Sequence, residues 1–150
     1  MSDIYTLLKQ YDDLALERAD ISRRIGRLND EIRALKGTIV SDSVEGTRPD
    51  GTYGSIRIEG IPMPEYDMRL EQLRKKNEMY AKVQKRLEEL KEQIEVDVLD
   101  VTDSSVRTII RLRYIDGKKW DKVARDMCMG TDQCRKRMTR YFDKENRKNT

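Results

Sequence analysis

Four basic side chains fall within six residues near the carboxyl end of the chain, at Arg135, Lys136, Arg137 and Arg140. They belong to a stretch with helical spacing of apolar residues that begins at Thr131. Guanidinium and ammonium groups on one helix face bind polyanions, and they pair with DNA phosphates and with guanine edges. The cluster therefore predicts a nucleic-acid interface, whereas any one of these residues alone would be a solvated surface charge.

Three predicted helices in a row would position this cluster. The first covers about residues 103–115, the second about 119–128, and the third begins at Thr131, with Gly117 and Gly130 in the two breaks. A helix, a tight turn that contains glycine and a second helix form a helix-turn-helix, which can lay one helix in a major groove. We therefore expect a trihelical DNA-binding module.

The apolar residues of these helices recur every three or four positions and predict a shared core. The predicted core residues are Val106, Ile109, Ile110, Tyr114, Trp120, Val123, Ala124, Met127, Cys134, Met138, Tyr141 and Phe142. Ala124 is small, so the last helix can cross closely over the second. We expect Asp103 or Thr102 to cap the first helix and Thr131 to cap the last.

Polar and basic residues occupy the opposite face of the last helix. Gln133 can pair with adenine, and Lys136 and Arg137 with guanine, so we expect these side chains near base edges. Arg140 is better placed for a backbone phosphate, whereas Asp132 would repel phosphate or interact with the helix N-terminus. The full predicted DNA-binding set also includes the first residue of this helix and three lysines at the start of the preceding one: Thr131, Gln133, Lys136, Arg137, Arg140, Lys118, Lys119 and Lys122.

The net charge of +3 hides an asymmetry along the chain. Residues 101–150 hold fourteen Lys and Arg against seven Asp and Glu, whereas residues 1–100 hold 17 against 21. A basic excess at one end points to a polyanionic partner there. A solvated basic helix would have the same composition, so the asymmetry gains weight only together with the helix-turn-helix pattern.

Several classes of function are excluded by composition. The chain has no histidine, so His-based triads and mixed Cys/His zinc sites are excluded. Cys128 and Cys134 are too few for an all-cysteine zinc site, and both fall at apolar positions where we expect buried free thiols. The sequence lacks a glycine-rich phosphate loop. We therefore expect no enzyme, no metal and no cofactor. No window approaches a membrane span, and the protein is expected in the cytosol.

The first hundred residues contain two long amphipathic patterns. The first is a heptad series in which only Arg18 is not apolar: Ile4, Leu7, Tyr11, Leu14, Arg18, Ile21, Ile25, Leu28, Ile32 and Leu35. Lys36 and Gly37 are the expected end of that helix. The second covers about 65–96 and has these seam residues: Leu73, Tyr80, Val83, Leu87, Leu90 and Ile94. The matched lengths favour an antiparallel coiled-coil hairpin. Either helix could instead pair with its copy, and the long seam favours a homodimer.

Residues 38–64 connect the two helices and are too many for a structureless loop. Pro49–Gly51 predicts a turn, and a short strand is predicted at Tyr53, Ile56, Ile58 and Ile61, for which Thr38–Val40 is a candidate partner. A folded cap on the hairpin is the simplest interpretation, although a partner-binding or DNA-wing role stays open. The expected fold is thus mainly α: a helical hairpin with a small β-containing tip in residues 1–98, and a trihelical helix-turn-helix module in residues 99–150.

The run RTIIRLRYIDGKKWDKVARDM resembles region 4 of bacterial sigma factors, with an apolar helix, Leu-Arg-Tyr, an acidic residue and Gly, and a helix that contains Val-Ala. The whole chain resembles phage transcriptional regulators of the RinA/ArpU type, which the segment DGTYGSIRIEGIPMPEY and the trio Asp116, Gly117 and Trp120 also fit. The turn departs from the pattern, because Cys128 and Met129 replace the usual Leu-Gly pair. The resemblance implies a phage or prophage late-gene activator that binds promoter DNA in the bacterial cytoplasm.

Three functions remain open. The first is a sequence-specific DNA-binding transcription regulator, dimeric through its coiled coil, which contacts or recruits bacterial RNA polymerase. The alternative is a phage DNA-packaging protein of the small terminase kind, because such subunits also combine a helix-turn-helix with coiled-coil oligomerisation. The third is a coiled-coil adaptor whose basic end only keeps it in solution.

Overall fold

The computed structural model describes residues 3–41, 44–47, 53–56 and 64–148, which are mainly helical, as the sequence predicted. The elements of the described part are α1 (Ile4–Ser41), β1 (Val44–Thr47), β2 (Tyr53–Ile56), α2 (Pro64–Asp97), α3 (Ser104–Ile110), α4 (Trp120–Met127) and α5 (Thr131–Lys148). A 3₁₀ turn (Val98–Asp100) follows α2, and a π-helical turn (Arg111–Ile115) follows α3. None of the helices in this part of the chain is both long and apolar enough to cross a membrane.

The chain forms two compact units, which we name by their place in the sequence. The terminal unit combines Met1–Leu16 with Val83–Thr150, and the central unit is Glu17–Lys82. The sequence had indicated a boundary near residue 98. The terminal unit therefore gathers both ends of the chain around one core.

In the central unit, α1 buries Ile21, Leu28 and Ile32, at heptad positions that the sequence predicted. The Glu31 carboxylate lies 3.0 Å from Nε of Arg69, so an ion pair joins the late part of α1 to the early part of α2. The Arg69 side chain is 29% exposed and the Glu31 side chain 49%. Solvent screens such a pair, so we expect it to add little to the stability.

The carboxyl end of α1 differs from the prediction. The helix continues to Ser41, so the predicted stop at Lys36 and Gly37 is wrong, and Thr38–Val40 is helical rather than a strand partner. One interior glycine costs only about 1 kcal/mol relative to alanine, which a long helix tolerates.

Two short strands pair in the connection between α1 and α2. β1 and β2 are antiparallel, with Val44 opposite Ile56 and Thr47 opposite Tyr53. The partner of β2 is therefore the segment directly before it, in place of the segment 38–40. The predicted turn at 49–51 and the predicted strand residues Ile58 and Ile61 lie outside the described residues.

Two apolar clusters form the core of the terminal unit. The larger, which we call the main cluster, consists of Leu8, Ile94, Val98, Val101, Val106, Ile110, Tyr114 and Phe142. The smaller, the turn cluster, lies within the helix-turn-helix and consists of Ile109, Val123, Ala124 and Cys134. Every predicted core residue of α3 is buried. Because Val106 and Ile110 belong to one cluster and Ile109 to the other, α3 lies between them.

Leu8 is the main departure from the heptad pattern. It is 1% exposed, whereas its neighbour Leu7, the predicted seam residue, is only partly buried. In this unit α1 packs against C-terminal residues such as Phe142, in addition to α2. The face that α1 buries here therefore differs from the one that a two-helix seam would require.

A partly buried polar contact joins α1 to the π-helical turn. The Tyr114 hydroxyl donates to Oδ2 of Asp12 at 2.9 Å, and the Tyr114 ring meets that of Tyr11 edge-on, with centroids 5.5 Å apart. Burial raises the pKa of the Asp12 carboxyl, against the lowering effect of the Tyr114 hydrogen bond and of the Arg113 charge. The carboxylate is thus less favourable in the folded state than in the unfolded chain.

We expect Asp12→Asn to be at least as stable as the wild type near pH 7, because the amide oxygen still accepts the Tyr114 hydroxyl without a buried charge. A raised folded pKa means that the contribution of Asp12 is fully present below its unfolded pKa and is lost as pH rises through the folded pKa. Any advantage of the variant should therefore shrink on acidification. Urea denaturation followed by fluorescence of Trp120, the single tryptophan, measures this.

Asp12→Ala is the informative contrast. It leaves the Tyr114 hydroxyl without its acceptor and should cost about 1–3 kcal/mol of unfolding free energy. Asp13→Asn changes the exposed neighbour and serves as the matched charge control. Equal stability of the Asn and Ala variants would contradict a structural role for this hydrogen bond.

Candidate nucleic-acid interface

The turn between α4 and α5 has three residues, Cys128, Met129 and Gly130. Cys128 adopts the left-handed conformation, with φ 57° and ψ 39°. Its N–H donates to the Arg125 carbonyl at 3.1 Å and the Met129 N–H donates to the Ala124 carbonyl at 3.0 Å. These two bonds form a Schellman motif, which ends a helix abruptly and fixes the direction of the next segment.

This geometry corrects one prediction about the cysteines. Cys134 is buried as expected and burial raises its thiol pKa, but Cys128 is exposed. The left-handed residue after a helix points out of the helical stripe, so the apolar period that suggested burial no longer applies at Cys128. Met129 packs against the turn cluster instead.

The start of α5 also differs from the expectation. Thr131 is the first helical residue, and the Gly130 carbonyl accepts the first helical bond, from the Cys134 N–H at 3.0 Å. Gly130 is therefore the cap, and the Thr131 hydroxyl donates to Oδ1 of Asp121 at 3.4 Å. The Gln133 side-chain oxygen accepts the Gly130 N–H at 3.3 Å, which is half of a capping box. This bond occupies one of the two lone pairs of the Gln133 oxygen.

The two faces of α5 have opposite character. Cys134 and Phe142 are buried and Met138 and Tyr141 are partly buried, as predicted. The other face is exposed and borders an open groove of about 640 Å³, which is closed on one side by the 102–103 corner. The cationic residues of this groove are Lys136, Arg137, Arg140, Lys144 and Lys148. At 1.5 Å per residue the helix is about 27 Å long, enough to cross a major groove.

The predicted cations differ in whether they form ion pairs within the protein. Lys136 and Arg140 are exposed, as are Lys119 and Lys122, and none has an ion pair among the described residues. Lys118 Nζ, in contrast, lies 2.7 Å from Oδ2 of Asp126, and this hydrogen bond raises the Lys118 pKa. Lys118 therefore ties the segment before α4 to Asp126 within that helix. Of the predicted cations, it is the least available for binding a phosphate.

Arg137 also has a partner within the protein. Its Nη2 lies 3.7 Å from Oδ2 of Asp103, and the two side chains are 46% and 33% exposed. Asp103 caps α3 as predicted, because its Oδ1 accepts the Val106 N–H at 3.2 Å. The predicted base-reading role of Arg137 therefore competes with an ion pair.

Sequence reasoning missed two features of this surface. Lys144 shares the groove, and its spacing of four from Arg140 and seven from Arg137 would have identified it. Trp120 is only partly buried, and the guanidinium carbons of Arg113 and Arg135 lie over its ring at 5.4 and 5.3 Å from the centroid. Arg135, although it belongs to the cluster in sequence, thus faces α4 and lies outside the groove.

The arrangement supports polyanion binding through exposed cations. Among the residues that the structure describes, no three carboxylate or thiol side chains come together as a candidate metal site. The face of α5 offers several ammonium and guanidinium groups on a scaffold that two apolar clusters hold in place. Its chemistry is recognition through charge and hydrogen bonding.

Comparison with known proteins identifies one family. Neither the curated proteins nor the solved structures contain a match to the chain. The family described as "Protein of unknown function (DUF722)" matches residues 57–146, a stretch that contains α2 and reaches into the last turns of α5. Because this stretch is more than half of the chain, the chain belongs to the DUF722 family.

Proposed function

We propose that the chain is a sequence-specific, double-stranded DNA-binding protein that regulates transcription and has no catalytic activity of its own. The observation that carries the proposal is the exposed cationic face of α5, opposite a buried apolar face, on the second helix of a helix-turn-helix. Lys136, Arg140 and Lys144 have no ion pair among the described residues. Phosphate binding would therefore break no internal contact of these three side chains.

The proposed docking places α5 in a major groove. The N-terminal residues of a recognition helix face base edges, so Gln133 and Lys136 are the proposed base contacts. Arg140 and Lys144, one and two turns further along, are proposed to bind phosphates, as are Lys119 and Lys122 at the start of α4. Phosphate contacts would set the position on DNA, and the base contacts would set the sequence preference.

The biological setting is proposed from the resemblance of the sequence to RinA/ArpU-type regulators. We propose a phage or prophage late-gene activator that acts in the bacterial cytoplasm, with RNA polymerase as a second partner. The two long helices are proposed to form an antiparallel coiled-coil hairpin through which the protein dimerises. A dimer would bind two half-sites about one helical turn of DNA apart.

The decisive experiment measures binding of the full chain to labelled duplex DNA by fluorescence anisotropy. We expect binding to mixed-sequence duplex at about 50 mM salt that weakens steeply as salt is raised, because phosphate contacts release counterions. Selection from a random duplex library should yield a consensus sequence. No binding even at low salt would refute the proposal and favour a coiled-coil adaptor.

Regulation is tested separately from binding. Mapping of genomic sites during phage growth should place the protein beside late promoters, and light scattering should give a dimer. A closed ring of many subunits together with occupancy at a packaging site would replace the regulatory role with DNA packaging.

A further inference from the structure

We infer that Asp103 determines whether Arg137 contacts DNA: by holding the guanidinium on the protein, it withholds one phosphate contact and restrains binding to non-specific sequence. The inference rests on the proposed function and assigns an affinity-limiting role to a carboxylate that does not itself bind DNA. Arg137, which the sequence predicted to contact a base, is then a cation that Asp103 keeps from binding a phosphate.

The Asp103 carboxylate is fixed in place by its role as a cap. Its Oδ1 accepts the Val106 N–H at 3.2 Å, and its own carbonyl accepts the Arg107 N–H at 2.9 Å. The carboxylate therefore cannot follow Arg137 away from α3. In the pair that they form, 3.7 Å from Nη2 to Oδ2, the guanidinium is the mobile partner.

The pair lies on the surface that is proposed to face DNA. Asp103 and Arg137 line the same groove as Lys136, Arg140 and Lys144. A phosphate that approaches this groove would offer Arg137 a second anionic partner, and Asp103 would compete with it. Loss of the Asp103 charge removes this internal partner, so the guanidinium should become free for the phosphate.

Withholding a phosphate contact lowers the affinity for every sequence, because phosphates are common to all of them. Each phosphate contact strengthens binding to specific and non-specific DNA alike. A protein that searches a whole genome is limited by its non-specific competitors, so one fewer contact of this kind shortens its residence on wrong sites.

The test uses Asp103→Asn in the full chain, with a labelled mixed-sequence duplex and a series of salt concentrations. Asparagine is as good an N-cap as aspartate, so α3 should stay formed, which Trp120 fluorescence can verify. We expect the slope of log K against log salt to steepen by about 0.9, and the affinity near 0.1 M salt to rise roughly eightfold, as one more phosphate contact requires. In an Arg137→Ala background the same change should leave the slope unaltered.

Asp132→Asn is the matched control, because it removes a carboxylate from α5 that has no arginine partner among the described residues. It should raise affinity slightly without changing the slope. The inference is overturned if Asp103→Asn leaves the slope unchanged, or steepens it equally in the presence and absence of Arg137. Failure of the wild type to bind any duplex would instead refute the proposed function, and this inference with it.

Discussion

Simultaneous replacement of Lys136, Arg140 and Lys144 by alanine is expected to weaken binding to mixed-sequence duplex by at least about sixtyfold near 0.1 M salt. Log K falls by about 0.9 per decade of salt for each phosphate contact, so one contact is worth roughly a factor of eight at 0.1 M relative to 1 M. The two proposed phosphate contacts, Arg140 and Lys144, multiply to about sixtyfold, and the salt slope should become shallower by about 1.8. Loss of the base contact of Lys136 adds to the loss only on the preferred sequence. Anisotropy titrations at four or more salt concentrations give both quantities.

A matched variant separates the site from the net charge. Lys36, Lys82 and Lys85 are exposed on α1 and α2, and their replacement by alanine removes the same three charges. This control should keep nearly the wild-type slope, because none of these three lysines lines the groove of α5. Equal losses in the two triple variants would assign binding to overall charge, and an unaffected α5 variant would contradict the proposed recognition helix.

The single substitutions distinguish reading from anchoring. Lys136→Ala should relax the sequence preference at one position of the selected consensus, since a lost base contact removes discrimination. Arg140→Ala should weaken specific and mixed-sequence DNA by the same factor. A uniform loss in both variants would mean that Lys136 also binds phosphate.

Phe142→Ala is expected to have the largest effect on folding, a loss of about 3–5 kcal/mol of unfolding free energy. The ring is 3% exposed in the main cluster, and its centroid lies 5.1 Å from that of Tyr5 and 5.2 Å from that of Tyr141. Truncation removes both aromatic contacts and leaves a cavity between α5 and α1. Urea denaturation followed by Trp120 fluorescence reports on this unit, because the tryptophan lies in α4.

Leu16→Ala is the control for this experiment, since that leucine is 71% exposed in the same unit. Its replacement should change stability by less than about 0.5 kcal/mol. A comparable small effect of Phe142→Ala would mean that α5 does not depend on the main cluster. Trp120→Ala should cost less than Phe142→Ala, because the indole is only partly buried. Since this variant lacks the single tryptophan, its unfolding is followed by far-ultraviolet circular dichroism.

Periodicity was sufficient to predict the helices and the two faces of α5. Apolar residues at intervals of three and four identified Cys134, Met138, Tyr141 and Phe142, because a helix on the surface of a core must bury one stripe. The same argument gave the buried residues of α3. The DNA-binding role that we attach to the opposite face stays a prediction.

Contacts between elements could not be read from the sequence in the same way. The burial of Leu8 depends on packing against residues from the other end of the chain, and the pairing of Arg137 with Asp103 joins α5 to the cap of α3. The left-handed backbone at Cys128 carried no signal either, because glycine or asparagine is the usual residue there. The periodicity of one helix carries no information about which residues, distant in sequence, will pack against it.

The union of both chain ends in one core has a consequence for biosynthesis. Asp12 contacts Tyr114, which is 102 residues further along, and Tyr5 contacts Phe142. Tyr114 and Phe142 have therefore not yet been made while the ribosome is translating α2. The amino-terminal turns of α1 then leave the exit tunnel with Leu8 uncovered, and they must avoid aggregation until α3 and α5 have been translated. Closure of such distant contacts also slows folding, so this core is expected to form only after α5 has been translated.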